Sequence, residues 1–233
     1  MTPRQRAVAA RAASVLLRHP DSDVLAALPT VCAAVAGLPG DVARRLGTVA
    51  DHLAAGDPAA LAAAYAQTFD FRRRCTLYLT YYTHGDTRAR GQALAEVAAE
   101  YREAGYALDR ELPDFLPAVL ELAAVAGQPG WRVLHAYRLG VDLLEAALER
   151  EGSVYAHAVA AVRRLLPPQR AADAEAVRRL AAAGPPAELV GLEAYHAAGP
   201  LRPPGGLQPD IAAGPVPRPG GPYPAPAPRG GRR

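Results

Sequence analysis

Apolar side chains recur at the three-to-four-residue spacing of amphipathic helices along most of this 233-residue chain. The first such segment opens at Pro3, a residue suited to the first turn of a helix, and ends near His19 before a second proline. Caps, prolines and glycines delimit further predicted helices at 21–37, 41–55, 57–69, 71–83, 86–104, 113–126, 131–150, 154–166, 171–183 and 187–197. We therefore predict an all-α fold, a single globular domain of about eight to eleven helices without internal repeats.

The segment FRRRCTLYLTYYT, residues 71–83, fits two patterns. Leu77 and Leu79 alternate as in a strand, whereas Leu77, Tyr81 and His84 share one helical face. A lone strand would leave its backbone groups without partners, and the rest of the chain offers no convincing second strand. We therefore predict a helix here.

The sequence ELPDFLP places two prolines four residues apart in a chain that otherwise has a helical pattern. Pro113 disfavours the helical conformation for Leu112, which we expect to be extended. Asp114 can then cap a new helix whose first residue is Phe115. Pro117 falls in the first turn of that helix, where an N–H group would have no partner in any case. The sequence predicts a sharp elbow between two helices.

The sequence YYTHGDTRARG predicts a turn between helices. His84 suits a helix C-terminus, Gly85 reverses the chain, and Asp86 or Thr87 can cap the next helix. Arg88 and Arg90 then lie in the first turn, where each cation opposes the helix dipole by about 0.3–1 kcal/mol. This cost predicts partners for the two arginines, either in a binding site or in the fold, and solvent exposure of both is the alternative.

The chain divides by composition into a predicted helical domain, residues 1–198, and a tail, residues 199–233, with 11 Pro and 8 Gly. The tail is expected to be disordered, because it cannot bury enough apolar surface to offset its chain entropy. It carries a net charge of +4 and the remaining chain −1, so the composition does not indicate a nucleic-acid-binding face. A role for the tail as a proline-rich ligand is an alternative.

Few residues carry patterns of catalysis or metal binding. Cys32 and Cys75 form no CxxC motif, no two histidines lie at helical ligand spacing, and nucleotide-binding and hydrolase motifs are absent. We therefore expect neither a cofactor nor a metal, and no enzymatic activity; a small enzyme using Cys75 or His84 is the alternative. Separated thiols and the lack of an apolar membrane span predict a cytoplasmic protein without direct membrane insertion.

The turn and the elbow together resemble a known family. Residues 69–124, FDFRRRCTLYLTYYTHGDTRARGQALAEVAAEYREAGYALD…ELPDFLPAVLELAA, are similar to the core of the nitrate reductase molybdenum cofactor assembly chaperones. This family, also called the delta subunit, belongs to the redox-enzyme maturation chaperones. One position departs from the usual pattern ELPDHLP, because Phe115 replaces the histidine. A role that requires an imidazole there does not carry over.

The resemblance implies an all-helical, non-catalytic chaperone. Its implied partner is the N-terminal segment of the catalytic alpha subunit of a respiratory nitrate reductase, which stays competent for molybdenum cofactor insertion before membrane docking. Cofactor delivery proteins are possible further partners. Two alternatives stay open, a chaperone of a dimethyl sulfoxide or trimethylamine oxide reductase and a helical scaffold that acts through the proline-rich tail.

An amphipathic peptide helix binds by placing its apolar face in a groove. The residues that we expect to line such a groove are Tyr78, Tyr81, Tyr82, Tyr101, Leu112 and Phe115. Its expected polar rim comprises Arg88, Arg90, Glu111 and Asp114, and His84 and Asp86 are further candidates. Turns are expected at Gly85, Gly91, Gly105, Pro113 and Pro117. Ordinary core packing is the alternative for each tyrosine.

Overall fold

The computed structural model describes residues 1–108 and 111–168, and within them it is all-α, as predicted. These residues form ten α-helices and one short 3₁₀-helix, Arg73–Cys75. The α-helices are α1 (Pro3–Leu16), α2 (Ser22–Ala36), α3 (Gly40–Ala55), α4 (Pro58–Phe69), α5 (Tyr81–His84), α6 (Arg88–Glu103), α7 (Leu116–Val125), α8 (Gln128–Ala136), α9 (Arg138–Arg150) and α10 (Tyr155–Arg164). The predicted helices at 171–183 and 187–197, the predicted domain boundary and the tail lie outside the described residues.

Side-chain caps fix the starts of the N-terminal helices. Thr2 accepts a hydrogen bond from the Gln5 amide of α1, and the Gln5 side chain accepts one from the Thr2 amide in return. Asp21 accepts from the Val24 amide at 2.9 Å, and Asp57 caps α4 in the same way. These caps confirm the starts predicted for the first, second and fourth helices, whereas the first helix ends at Leu16 and not near His19.

The core is built around α1 and α7, which have the most extensive mutual contact of any helix pair. Four alanines of α1 are buried, and their small side chains allow the two helices to approach closely. Helix α10 packs against α3 and α9, and α2 packs against α3. Each fully buried leucine contributes about 1.5–3 kcal/mol; these are Leu16, Leu17, Leu46, Leu53, Leu79, Leu116, Leu120, Leu122, Leu134, Leu144 and Leu148.

The helix predicted for residues 71–83 is wrong over most of its length. After the 3₁₀-helix comes a non-helical stretch that begins with Thr76 in an extended conformation, and only the short helix α5 follows. We call residues 76–80 the extended segment. Tyr78 forms an isolated antiparallel β-bridge with Phe115 of the elbow. The Leu79 amide donates to the Asp114 carbonyl at 3.0 Å. The extended segment therefore has the backbone partner that periodicity alone could not reveal, and this partner is the proline elbow itself.

The predicted helix at 131–150 is also divided in the structure. Helix α8 ends at Ala136 and α9 begins at Arg138, with Tyr137 at φ −104° and ψ 25° between them. The start of α9 lies against the extended segment: a Cβ atom on Gly140 would come within 2.9 Å of the Leu79 carbonyl oxygen. The apolar spacing continues through the break, and the sequence pattern therefore does not show it.

The glycines of the predicted turns differ in their roles. Gly85 and Gly105 have φ of 58° and 76°, a region that favours glycine, so both turn predictions are confirmed. Gly91, also predicted as a turn residue, instead lies inside α6 and is exposed. Of the two candidate caps of α6, Thr87 occupies the position before the helix, and its hydroxyl donates to the His84 carbonyl at 2.7 Å. Neither side chain caps the helix.

Candidate functional site

Asp114 joins the elbow to the extended segment through its side chain. It is fully buried, and its Oδ2 atom accepts hydrogen bonds from the Thr80 amide at 3.0 Å and the Thr80 hydroxyl at 2.6 Å. The prediction that Asp114 caps a helix is therefore wrong. Helix α7 begins two residues later, with Phe115 at the capping position and no side-chain cap, while Pro117 lies in the first turn as predicted.

Arg90 brings the two sequence motifs together. Its Nε atom donates to the Thr80 hydroxyl at 3.1 Å, and its Nη2 atom lies 3.7 Å from Asp114 Oδ2. Its Nη1 atom lies 3.5 Å from Asp86 Oδ1, and Asp86 also pairs with Arg73 at 2.8 Å. The partner predicted for Arg90 is thus provided by the fold. We call Thr80, Asp114 and Arg90 the polar junction.

Thr80 is the member of this junction that sequence reasoning missed. It is fully buried and directly precedes the turn motif. Its hydroxyl donates to Asp114 and accepts from Arg90, so one hydroxyl connects the two charged groups. A lone threonine beside two tyrosines gives no signal of this role in the sequence. Arg88, the other arginine of the motif, is exposed on α6.

Tyr78 and Phe115 form a wall beside the junction. Their ring centroids are 5.5 Å apart, and the Tyr78 hydroxyl donates to Glu111 Oε1 at 3.0 Å. The same carboxylate oxygen accepts from the Leu112 amide at 3.1 Å. Burial, followed by the Glu111 hydrogen bond, raises the pKa of Tyr78 to about 12, so the hydroxyl remains a donor near neutral pH.

The other residues of the turn contribute to the fold. Tyr82 is buried, and its hydroxyl lies 2.9 Å from the Thr76 carbonyl oxygen, so the core-packing alternative holds for this tyrosine and not the predicted groove position. The Tyr81 ring centroid is 5.8 Å from the Arg90 guanidinium carbon. His84 Nδ1 lies 2.8 Å from the Thr83 hydroxyl. This histidine is engaged locally, at the end of α5.

Phe115 also lines a groove of about 390 Å³. This groove lies between α7, the end of α6 and the chain that follows α6. Apolar and polar residues both line it, namely Arg18, Tyr101, Tyr106, Ala107, Leu108, Glu111, Phe115, Pro117, Ala118, Glu121, Leu122 and Val125. We call it the α6–α7 groove.

The α6–α7 groove contains part of the predicted site. Tyr101, Glu111 and Phe115 are among its lining residues, and Leu112, which follows Glu111 in the chain, has 41% of its surface exposed. The remaining candidate residues are not in the groove lining. Sequence reasoning missed Tyr106 and Val125, which are 45% and 53% exposed. Their position in the groove follows from the tertiary arrangement, which no local pattern in the sequence reveals.

Within residues 1–108 and 111–168, no group of three or more histidine, cysteine or acidic side chains is placed to hold a metal ion. None of the described helices combines the length and apolar character needed to cross a membrane.

Comparison with known proteins places the chain among relatives of similar fold. The nitrate reductase delta subunit family matches residues 36–161, more than half of the chain. The nitrate reductase molybdenum cofactor assembly chaperone NarJ of Bacillus subtilis is 33% identical, over 67% of this chain and 86% of its own. NarJ of Escherichia coli K12 is 35% identical, over 61% and 63%.

A second group of similarities is more limited. The nitrate reductase-like protein NarX of Mycobacterium tuberculosis is 45% identical, but the match covers 65% of this chain and only 23% of that protein. A solved redox enzyme maturation protein from Archaeoglobus fulgidus has a TM-score of 0.52 and 22% identity, over 68% of this chain and 91% of that one. This last similarity supports the fold alone. Because the family matches more than half of the chain and the described residues are helical, the chain belongs to the nitrate reductase delta subunit family.

Proposed function

We propose that this protein is an assembly chaperone for a respiratory nitrate reductase. It binds the N-terminal segment of the catalytic alpha subunit and keeps the apoenzyme competent for molybdenum cofactor insertion before membrane docking. The proposal places this activity in the cytoplasm and assigns the chain no catalytic step and no cofactor of its own. The names of the relatives from Bacillus subtilis and Escherichia coli support the client class.

The observation that carries the proposal is the α6–α7 groove. Five large apolar side chains are exposed in the described residues; two of them, Tyr106 and Val125, line this groove, and a third, Leu112, follows the lining residue Glu111 in the chain. Exposed apolar groups grouped around a concavity favour a peptide-binding role, because docking removes them from water together. An amphipathic helix suits such a groove.

The polar residues of the groove suit a chaperone that releases its client. Glu111 and Arg18 lie in its lining with the apolar groups, so a docked peptide meets charges as well as apolar surface. Rim charges influence orientation and association rate more than affinity. We therefore expect a dissociation constant in the micromolar range, about −8 kcal/mol, which permits release once the cofactor is inserted.

The proposal predicts direct binding of a client peptide. Isothermal titration of the full chain with a synthetic peptide of the cognate alpha-subunit N-terminus should give one site with micromolar affinity. A peptide of the same composition in scrambled order is the control and should bind at least about tenfold more weakly, because it cannot present one apolar face. Equal binding of both peptides, or no binding to a folded protein, contradicts the proposal.

Two alternative functions give different results in related experiments. A chaperone of a dimethyl sulfoxide or trimethylamine oxide reductase would prefer the peptide of that enzyme in the same titration. A scaffold that acts through the tail would lose its activity when residues 199–233 are removed. Under our proposal the shortened chain supports nitrate reductase maturation, measured as nitrate reduction in a strain that lacks the chromosomal copy.

A further inference from the structure

Tyr101 places a buried hydroxyl at the floor of the α6–α7 groove. The residue lies near the end of α6, only 5% of its surface is exposed, and it belongs to the groove lining. Its hydroxyl oxygen is buried and has no hydrogen-bond partner among the described residues. The hydroxyls of Tyr65, Tyr78 and Tyr82, in contrast, have oxygen acceptors within about 3 Å.

An unpaired buried hydroxyl is unfavourable, because the group has lost its hydrogen bonds to water without a replacement. The cost is comparable to that of a lost hydrogen bond, and a partner that arrives on binding recovers it. Burial raises the pKa of the Tyr101 hydroxyl, so it keeps its proton near neutral pH. Tyr101 is therefore available as a hydrogen-bond donor.

The neighbouring charges restrict the chemistry of an acceptor. Two carboxylates, Glu111 and Glu121, line the groove against one guanidinium, Arg18, and the charges of Asp114 and Glu121 also raise the pKa of Tyr101. The Oδ1 atom of Asp114 is itself buried without a hydrogen-bond partner. These carboxylates would repel a further anion, whereas they would not repel an uncharged oxygen.

We propose that the Tyr101 hydroxyl is a specificity-determining donor that hydrogen-bonds an uncharged oxygen of the docked peptide. Two sources supply such an oxygen. One is a main-chain carbonyl in the last turn of a bound helix, where four carbonyls lack helical partners. The other is a side-chain hydroxyl or amide. This inference rests on the proposed function, because it concerns the same groove and the same class of peptide.

The substitution Tyr101→Phe tests this inference, because it removes the hydroxyl and keeps the ring. The variant should be as stable as the wild type or more stable in urea denaturation, since an unpaired polar group is lost. Its dissociation constant for the alpha-subunit N-terminal peptide should rise by about fivefold or more in isothermal titration. Tyr65→Phe is the matched control: its buried hydroxyl donates to the Leu17 carbonyl outside the groove lining, so this variant should lose stability and keep wild-type affinity.

The outcomes separate this inference from the proposed function. If the wild type does not bind the peptide, the proposed function fails, and this inference fails with it. If the wild type binds and Tyr101→Phe binds equally well, or is less stable than the wild type, only this inference is overturned. To identify the acceptor, the titration is repeated with peptides in which each hydroxyl or amide side chain is replaced by alanine. A peptide that binds the wild type and Tyr101→Phe equally identifies a side-chain acceptor, and a fivefold difference in every peptide identifies the main chain.

Discussion

Replacing Asp114 by alanine should lower the free energy of unfolding by about 3 kcal/mol. The substitution removes the acceptor of two hydrogen bonds from Thr80 and leaves both donors buried. It also removes the carboxylate that lies 3.7 Å from Arg90, whose side chain is 18% exposed. Urea denaturation followed by circular dichroism measures the change.

Asp86→Ala provides the control for this variant. Asp86 also pairs with Arg90, at 3.5 Å, but 57% of its side chain is exposed. Solvent-exposed ion pairs contribute little, so this variant should lie within about 1 kcal/mol of the wild type. Equal losses of stability in the two variants would mean that burial in the polar junction does not give Asp114 a special role.

Replacing Gly130 by alanine should be equally severe, with a loss of about 3 kcal/mol or more. A Cβ atom at this position would lie 2.1 Å from the Ala123 amide nitrogen and 2.7 Å from the Leu122 carbonyl carbon. These are backbone atoms of α7, so no side chain can rotate to make room. Helix α8 must move away from α7, which also carries one side of the groove. Thermal and urea denaturation measure the effect.

Gly47→Ala is the matched control for the effect of glycine on a helix. Gly47 lies inside α3, and a Cβ atom there meets nothing within 4 Å. Alanine should therefore stabilise the protein by about 0.5–1 kcal/mol through its better helix propensity. If Gly130→Ala is as stable as Gly47→Ala, α7 and α8 do not approach each other as closely as described here.

The parts of the fold that depend on residues close together in the sequence could be predicted from it. Asp21 and Asp57 cap helices at the predicted positions, and Gly105 ends α6 with a positive φ. The extended segment around Tyr78 could not be predicted, because its partner is Phe115, far along the chain. Periodicity describes one segment at a time and contains no information on such pairing.

In the candidate site, too, some residues could be predicted from local sequence and others depend on the tertiary arrangement. The turn and elbow motifs identify the family and two members of the polar junction, Arg90 and Asp114. Thr80 and the groove residues Tyr106 and Val125 take their roles from the tertiary arrangement, so no local pattern reveals them. The cap assigned to Asp114 was wrong because local spacing could not show that Thr80 competes for this carboxylate.

The contacts of Phe115 show what this position contributes when phenylalanine replaces the histidine of the family pattern. Its ring packs against Tyr78 and lines the groove, and its main chain pairs with the extended segment. The structural contribution of this position thus comes from an aromatic ring and the backbone. An imidazole nitrogen is not required for either contact, so the phenylalanine is compatible with the same groove.

The central claim is that the α6–α7 groove binds the client peptide, and the most direct test is a titration of two matched variants. Val125→Arg places a charge in the groove, and Phe71→Arg makes the same change at a side chain that is 72% exposed and outside the groove lining. We expect Val125→Arg to weaken binding of the alpha-subunit N-terminal peptide by about tenfold or more, while Phe71→Arg keeps wild-type affinity. Wild-type affinity in Val125→Arg, or equal weakening in both variants, would contradict the claim.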